Sequence, residues 1–358
     1  SIAVETDNGL LYSWRDLDRA TAMLANLLDS LGLPSGSRVA VQVEKSVEAM
    51  VLYLATLRAG YVFLPLNTAY QSAEIEYFVG NAEPAVVVCS PANFGWVSRI
   101  AFSAGTRHVF TLGDDRTGSL LERAAHQSDV HVPAVKAADD LAAILYTSGT
   151  TGRSKGAMLS HGNMASNAVM LKDYWGWVPG DVLIHALPIF HVHGLFVAIH
   201  GALINGSRMI WMHRFDPRAV VSRLPEATVF MGVPTLYVRM LGEPGLTREA
   251  CRHMRLFIAG SAPLLIETFN AWRERTGHTI LERYGMSETI MLTSNPYHAD
   301  PRRGHQHERL AAVSGTDAGD GRTVGVELCV AQQHSFVFAV ALILVLFFAQ
   351  VLVVEFRE

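Results

Sequence analysis

The feature that most constrains the fold is an alternation of short apolar strands with helical segments along most of the chain. Residues 11–32 place apolar side chains at helical spacing, and Ser13 is predicted to cap the start of this helix while Gly32 ends it. Residues 38–43 (RVAVQV) are typical of a strand, and residues 46–60 form the next predicted helix. This alternation predicts an α/β fold whose parallel sheets are covered by helices on both faces.

Several predicted strands run directly into loops that carry unusual residues. In open α/β sheets, ligands bind in the crevice beyond the carboxyl ends of the strands, so stretches that are distant in sequence converge on one site. The clearest such stretch is residues 146–156 (YTSGTTGRSKG), which follows the apolar residues 141–144. It combines hydroxyls and glycines with one lysine, and these residues are Thr147, Ser148, Gly149, Thr150, Thr151, Gly152, Lys155 and Gly156.

This composition predicts a loop that holds the phosphates of a nucleotide. Glycines let backbone N–H groups turn toward an anion, hydroxyls donate to phosphate oxygens, and Lys155 supplies a positive charge. The stretch is not a Walker loop, whose lysine is followed by Ser or Thr, because Lys155 lies between Ser154 and Gly156. A flexible polar linker is the alternative interpretation, since Gly, Ser and Thr also dominate linkers.

A second stretch follows the predicted strand TILER and consists of Tyr284, Gly285, Met286, Ser287 and Glu288. Tyr284 offers an aromatic face for adenine, and Ser287 can donate to an oxygen of the α-phosphate. Glu288 is a hard oxygen ligand suited to Mg²⁺, which binds one or two carboxylates together with substrate phosphates. A structural Tyr-Gly turn is the alternative interpretation.

A third stretch, Gly260, Ser261, Ala262 and Pro263, follows another predicted strand. Its small residues allow a flat ring to approach the backbone closely. Pro263 is predicted to open a helix, because proline is favoured at the first helical position. The alternative interpretation is a tight strand–helix turn without a ligand.

Two histidines, His191 and His193, lie in the stretch LPIFHVHGL at a further strand end. Two interpretations are open for this His-x-His pattern. It is either a pair of polar residues at a strand end or a pair of metal ligands, although no third ligand stands at a recognisable spacing.

The bulk composition argues against some classes of function. The chain has 358 residues, with 29 Lys+Arg against 33 Asp+Glu, and this formal charge of −4 gives no electrostatic basis for binding nucleic acid. Its cysteines, Cys89, Cys251 and Cys329, are far apart and odd in number, so neither a disulfide framework nor a metal cluster is expected. We therefore expect a reducing compartment and a cytoplasmic protein.

Together, these stretches resemble the acyl-adenylate-forming superfamily of acyl-CoA synthetases, luciferases and peptide-synthetase adenylation domains. The resemblance rests on YTSGTTGRSKG, HALPIFHVHGL, GVPTLY, AGSAPL and LERYGMSE, and it is closest to the malonyl-CoA synthetases. It covers residues 1–297 and implies a large N-terminal AMP-binding (adenylation) domain made of two stacked αβαβα-type layers. Ser287 stands where superfamily members have threonine, a change that keeps the hydroxyl.

The resemblance also implies a reaction and a role for each motif. An acid reacts with ATP to give an acyl-adenylate and pyrophosphate, and the thiol of coenzyme A then attacks the adenylate. Thr147, Lys155 and Glu288 with its Mg²⁺ act on the phosphates, while residues 260–263 line the adenine pocket. His191 lies between the nucleotide and the acyl group, near the reacting carboxylate.

Arg283 indicates the substrate class. It directly precedes Tyr284, so the resemblance places it near the acyl group. An unpaired buried charge is costly beside an apolar tail, whereas a second carboxylate forms a bidentate pair with a guanidinium. The expected acid is therefore a dicarboxylate, which the resemblance identifies as malonate. Alternatively, Arg283 pairs with Glu282 or lies at the surface, and the substrate is a short- or medium-chain fatty acid.

The superfamily pattern stops near Tyr297. Members continue with a β-barrel segment and a mobile C-terminal domain, whereas residues 298–335 are polar without periodicity. Residues 336–354 are nineteen residues with Gln350 as the one polar residue, a length that suits a transmembrane helix and would associate the protein with a membrane. A shifted reading frame and a membrane-anchored variant are the two explanations. A non-catalytic nucleotide-binding remnant is then the alternative function.

Overall fold

The computed structural model describes residues 1–147, 154–295 and 297. Within these residues the strands form one sheet of eight and one sheet of six. The sheet of eight contains β1 (Ile2–Thr6), β2 (Leu11–Ser13), β9 (Val182–His185), β10 (Arg208–Trp211), β11 (Val229–Gly232), β12 (Leu256–Ala259), β13 (Leu281–Tyr284) and β14 (Thr293–Ser294). The sheet of six contains β3 (Arg38–Gln42), β4 (Val62–Pro65), β5 (Val86–Cys89), β6 (His108–Thr111), β7 (Leu141–Thr147) and β8 (Lys155–Ser160).

Helices connect most of these strands. They are α1 (Trp14–Ser30), α2 (Val47–Arg58), α3 (Ser72–Ala82), α4 (Phe94–Ser103), α5 (Ser119–Ala124), α6 (His161–Tyr174), α7 (His200–Asn205), α8 (Pro217–Arg223), α9 (Pro234–Leu241) and α10 (Ile266–Thr276). A π-helical segment, His193–Ile199, leads into α7, and short 3₁₀ turns occupy Pro91–Asn93 and Leu224–Glu226.

The strand orders are β14-β13-β12-β11-β9-β10-β1-β2 and β6-β5-β3-β4-β7-β8. Neighbouring strands are parallel except for the pairs β1–β2, β13–β14 and β7–β8, each of which ends a sheet. The predicted α/β class with mainly parallel sheets is confirmed. The antiparallel hairpins at the edges bring two of the predicted motifs, around Thr147 and Glu288, to hairpin turns.

Alternate residues of the central strands belong to different cores. Val39 and Val41 of β3 face the main core, which also holds residues of α1, α2 and α6, whereas Ala40 faces a second core with α3 and α4. Likewise, Met209 of β10 faces the main core, and Ile210 faces a third core that includes Trp272 of α10. Because strand side chains alternate between faces, both sheets are covered by helices on both sides, which gives the predicted αβαβα layers.

The first helix shows why its boundary differs from the prediction. Ser13 caps α1 as expected, since the N–H of Asp16 donates to Ser13 Oγ at 3.1 Å and the N–H of Ser13 donates to Asp16 Oδ2 at 2.8 Å. However, residues 11–13 are not helical. They form β2, which pairs with β1, so the tertiary pairing partner decides the structure of these three residues.

No helix of the described residues is both long and apolar enough to cross a bilayer. The predicted polar segment, residues 298–335, and the predicted hydrophobic helix, residues 336–354, lie outside the described residues. Cys89 and Cys251 are buried free thiols, and Cys329 also lies outside the described part of the chain.

Candidate active site

The β7–β8 hairpin carries both ends of the predicted phosphate loop. Thr147, the last residue of β7, pairs with Lys155, the first residue of β8, and Tyr146 pairs with Gly156. These four residues are therefore strand residues, which corrects the prediction that the loop spans all of residues 146–156. Lys155 is exposed. The other predicted phosphate-binding residues, Ser148, Gly149, Thr150, Thr151 and Gly152, lie outside the described residues.

Helix α3 supports this hairpin from the outer face of the sheet. The hydroxyl of Tyr77 donates to the carbonyl of Ser154 at 2.7 Å, and the hydroxyl of Tyr146 donates to Asn81. The rings of Phe78 and Tyr146 pack with centroids 4.3 Å apart. Burial, together with the nearby Tyr77, raises the pKa of Tyr146 to about 12. Tyr146 is thus a neutral structural anchor at the base of the phosphate loop.

The loop between β13 and β14 holds Ser287 and Glu288. Its ends are closed by the N–H of Leu292, which donates to the carbonyl of Tyr284 at 3.0 Å. Gly285 lies against the carbonyl of Ile290, where a side chain would clash, and buried Ile290 has a left-handed φ of 61°. The backbone of this loop is therefore held tightly while Glu288 stays exposed at its tip.

One contact joins the two motifs. Thr147 Oγ1 donates to Glu288 Oε1 at 3.2 Å, although the two residues are 141 positions apart. The same hydroxyl also lies 3.5 Å from the carbonyl oxygen of Lys155. The structure therefore brings Thr147, Lys155 and Glu288 together at one edge of the two facing hairpins.

A small cavity of about 50 Å³ lies beside this contact. Its lining consists of Pro65, Asn67, Tyr70, Leu145, Tyr146, Phe190, His191 and Ser287. His191 is accessible to solvent at the cavity wall, and the surrounding protein together with the charge of Arg283 lowers its pKa. His191 and Ser287 thus line the same cavity. Lys155, Glu288 and Arg283 do not line this cavity.

The stretch after β12 differs from its prediction in one respect. Helix α10 begins at Ile266, not at Pro263, because the chain stays extended and the N–H of Leu264 donates to Glu282 Oε1 at 3.1 Å. Ser261, Ala262 and Pro263 are exposed. Ser261 has a left-handed φ of 69°. On the neighbouring strand, Tyr284 is 53% exposed, and Met286 follows it with an exposed side chain.

Arg283 lies on the opposite face of β13 and is 3% exposed. It packs against Gly260, where a Cβ would lie 2.5 Å from Arg283 Nε. Its side-chain hydrogen bond is long, 3.4 Å from Nη2 to Ser261 Oγ, and its Nε has no partner among the described residues. Burial lowers its pKa to about 9, which leaves it charged at neutral pH.

The structure contradicts both alternative positions of Arg283, an ion pair with Glu282 and a place at the surface. The residue is buried, and Glu282 lies on the other face of the strand, where it accepts from Leu264. Among the described residues, no carboxylate forms an ion pair with Arg283. The guanidinium is therefore a buried cation with spare donors, next to the exposed residues Ser261 and Tyr284.

The interior behind His191 contains polar residues that the sequence did not single out. The side-chain nitrogen of Lys45 is buried, donates to the carbonyl of His185 at 2.9 Å and lies 4.6 Å from the ring centroid of Trp211. His185 in turn bonds through Nε2 to the carbonyl of Gly194 at 2.9 Å. No local pattern marks Lys45 as buried, because its burial depends on β9 and β10, which lie far away in sequence.

The two histidines of LPIFHVHGL have different environments. His191 faces the cavity, whereas His193 is buried. In the described part of the chain, no group of three His, Cys, Asp or Glu residues lies close enough to hold a metal ion. The pair is thus divided between a cavity wall and the protein interior.

Comparison with known proteins identifies the family of this chain. The sequence profile of the AMP-binding enzyme family matches residues 2–318. The chain belongs to the AMP-binding enzyme family. The match continues past Tyr297, where the recognisable motifs stop.

Two curated relatives of this AMP-binding enzyme are malonate–CoA ligases. The one from Arabidopsis thaliana is 29% identical over 374 residues, which cover 94% of this chain and 61% of that protein. The mitochondrial ACSF3 of Homo sapiens is 32% identical over 275 residues, which cover 72% of this chain and 47% of that protein.

A solved structure is more similar. ATP-bound MatB from Rhodopseudomonas palustris is 55% identical and superposes with a TM-score of 0.81, covering 84% of this chain and 59% of that one. The AMP-binding chain thus spans less than two thirds of the length of each of these three proteins.

Proposed function

We propose that this AMP-binding enzyme is an ATP-dependent acid–CoA ligase that converts malonate to malonyl-CoA through an acyl-adenylate. The observation that carries the proposal is the buried guanidinium of Arg283, which has no carboxylate partner among the described residues. The relatives named as malonate–CoA ligases support it.

Arg283 discriminates between acids by charge. Leaving a buried cation without a counter-charge is costly, and an apolar acyl chain would do so. The far carboxylate of a short dicarboxylic acid would instead accept charge-assisted hydrogen bonds from the guanidinium. A short- or medium-chain fatty acid, the alternative substrate, has no group that meets this requirement.

The residues around the hairpins fit a bound nucleotide. Thr147 and Lys155 would donate to phosphate oxygens at the mouth of the predicted loop, and Ser287 would do so from the facing hairpin. Tyr284 presents an exposed face to an adenine ring beside the small residues 260–263. The neighbour crystallised with ATP supports this assignment.

Glu288 fits a magnesium ion. Its carboxylate is exposed beside the phosphate-binding hairpin and is held by Thr147. A single carboxylate suits Mg²⁺, which takes its remaining ligands from phosphate and water. When bound, this ion supplies positive charge that offsets the charge of the phosphates.

His191 and Arg283 would place the acid. His191 at the cavity wall would orient the reacting carboxylate, while Arg283 holds the far end. Positioning of this kind contributes much of the rate when two bound reactants must meet. Coenzyme A is the proposed thiol substrate. No nucleic-acid partner is proposed.

Pyrophosphate exchange into ATP with a panel of acids tests the proposal on the full chain. We expect malonate to support exchange more strongly than acetate, butyrate or hexanoate. In Arg283→Leu, exchange with malonate should fall by about 10- to 100-fold, because hydrogen bonds to a charged group are lost. Greatest exchange with hexanoate would instead favour a fatty acyl-CoA synthetase, and ATP binding without exchange for any acid would favour the non-catalytic nucleotide-binding remnant.

The domain division and the location are also proposals. Residues 1–297 would form the adenylation domain, followed by the polar segment 298–335 and the hydrophobic segment 336–354. The buried free thiols of Cys89 and Cys251 support a reducing compartment such as the cytoplasm. Carbonate extraction of the full chain and of a chain lacking residues 336–354 separates this location from membrane association.

A further inference from the structure

A buried amide on α6 holds the loop that carries Glu288. Asn167 Nδ2 donates to the carbonyl of Met291 at 3.0 Å, although the two residues are 124 positions apart. Asn167 is 8% exposed and Met291 is 3% exposed, so the bond is shielded from water. Because Asn167 Oδ1 has no partner among the described residues, the side chain acts here through its amide donor.

The bond fixes the buried side of the β13–β14 loop. Ile290, next to Met291, is 1% exposed, and its carbonyl packs against Gly285, where a side chain would clash. On the exposed side, the N–H of Thr289 donates to the carbonyl of Met286 at 3.1 Å, which closes a turn around Glu288. The position of the exposed carboxylate therefore depends on where the buried side of the loop is held.

Helix α6 holds the following strand, β14, as well. Trp175 Nε1 donates to Ser294 Oγ at 2.8 Å, and the hydroxyl of Tyr174 donates to the carbonyl of Ser294 at 3.1 Å. Helical spacing places Asn167, Tyr174 and Trp175 on one face of the helix. Since α6 follows directly on β8, which begins at Lys155, this helix joins the phosphate-binding hairpin to the hairpin of Glu288.

We propose that Asn167 is a positioning residue, whose bond to Met291 directs the carboxylate of Glu288 toward the magnesium ion. This inference rests on the proposed function, which assigns the ion to Glu288, and deepens it. Thr147 holds the carboxylate itself, and Asn167 holds the backbone that carries it. Loss of a group that orients a metal ligand typically weakens metal binding by about 10- to 100-fold.

The test measures ATP binding to the full chain by isothermal titration with and without Mg²⁺. Asn167→Leu removes the amide donor, Asn167→Ala repeats this loss if the leucine variant does not fold, and Asn167→Gln keeps a donor. Asn205→Leu is the matched control. Asn205 is also 8% exposed, and its Nδ2 donates to the carbonyl of Val178 at 2.8 Å, at the end of α7. Unfolding midpoints show which variants are folded.

A double-mutant cycle separates positioning from packing. Asn167→Leu is combined with Glu288→Gln, and the affinity for Mg²⁺·ATP is compared across the four chains. If Asn167 acts through the carboxylate of Glu288, its substitution has no further effect once that carboxylate is gone, because residues that act through each other are not additive. A general packing defect would instead persist in the Glu288→Gln chain.

We expect Asn167→Leu to lower the affinity for Mg²⁺·ATP by about 10-fold and to leave the affinity for metal-free ATP unchanged. Asn167→Gln should recover part of the loss, and Asn205→Leu should show none. An equal loss with and without Mg²⁺, or a loss that persists beside Glu288→Gln, would overturn the role of Asn167 and leave the proposed function intact. Wild-type ATP binding that responds neither to Mg²⁺ nor to Glu288→Gln would overturn the metal role of Glu288 as well.

Discussion

Two buried arginines show opposite ways of placing a cation inside this protein. Arg58, at the end of α2, is 5% exposed and donates from Nη1 to Asp18 at 2.6 Å and to Thr21 at 3.0 Å. Its Nη2 donates to the carbonyl of His131 at 2.6 Å. Arg283, on β13, is 3% exposed, but its one hydrogen bond within the described residues is a 3.4 Å contact from Nη2 to Ser261 Oγ.

The difference separates a structural cation from one prepared for a ligand. Arg58 ties α1, α2 and the connection after α5 together, and its counter-charge comes from the fold itself. Arg283 lies beside the exposed nucleotide-facing residues, where the counter-charge must come from outside the described residues. Burial alone does not distinguish these two arginines, whereas their hydrogen-bond and ion-pair partners do.

The largest expected effect is on stability, and it has opposite outcomes at the two arginines. Arg58→Leu should lower the free energy of unfolding by about 3 kcal/mol, because it leaves Asp18 and the carbonyl of His131 without their partner. Arg283→Leu should leave the unfolding midpoint unchanged or raise it, since an unpaired buried charge is removed. Thermal or urea unfolding measures both, with Arg99→Leu on the exposed face of α4 as control. Equal destabilisation by Arg58→Leu and Arg283→Leu would contradict the distinction between a structural arginine and one that binds a ligand.

Lowering the pH protonates the buried His200 and so creates another buried cation without a counter-charge. The pH dependence of stability therefore tests whether such a cation destabilises the fold. Burial lowers the pKa of His200 to about 4 from an ordinary 6.5. The unfolded chain therefore binds more protons between these values, so the stabilisation is complete above pH 6.5 and is lost as the pH falls through 4. His200 should contribute about 3 kcal/mol to this loss.

His200→Gln is the variant that checks this contribution. It can still accept from Tyr53 but cannot become charged, so the fall in unfolding free energy between pH 6.5 and 4 should be smaller than in the wild type by about 3 kcal/mol. His161, whose burial also lowers its pKa to about 4, keeps its own part of the slope. The exposed His126→Gln serves as control, and an unchanged slope in His200→Gln would contradict the assignment.

The smallest effect concerns an exposed contact that is proposed to act on the metal. Thr147→Val removes the hydroxyl that donates to Glu288. Affinity for Mg²⁺·ATP should fall by about 10-fold, as is usual when the partner of a metal-ligating carboxylate is lost. Isothermal titration with and without Mg²⁺ provides the internal control, because binding of metal-free ATP should fall less. An equal loss in both conditions would place Thr147 on the phosphates instead of on the metal ligand.

Local sequence patterns predicted the helices and strands that have clear capping residues or periodicity. Ser13 caps the first helix as predicted. Strand β1 and helices α3 and α4 were not predicted, since their short or weakly periodic sequences resemble connections. Pro263 illustrates a wrong start signal, because a hydrogen bond from Leu264 to Glu282 on a neighbouring strand keeps the chain extended.

The sequence by itself determined the alternation of strands and helices, the hydroxyl- and glycine-rich hairpin, and the residues around Glu288. These are local properties, since spacing and turn chemistry act over a few neighbouring residues. The tertiary structure alone decided that Thr147 contacts Glu288, that Arg283 is buried with no carboxylate partner among the described residues, and that buried Lys45 donates to the carbonyl of His185. Burial and pairing depend on elements brought in from distant parts of the chain, and no local pattern encodes which ones arrive.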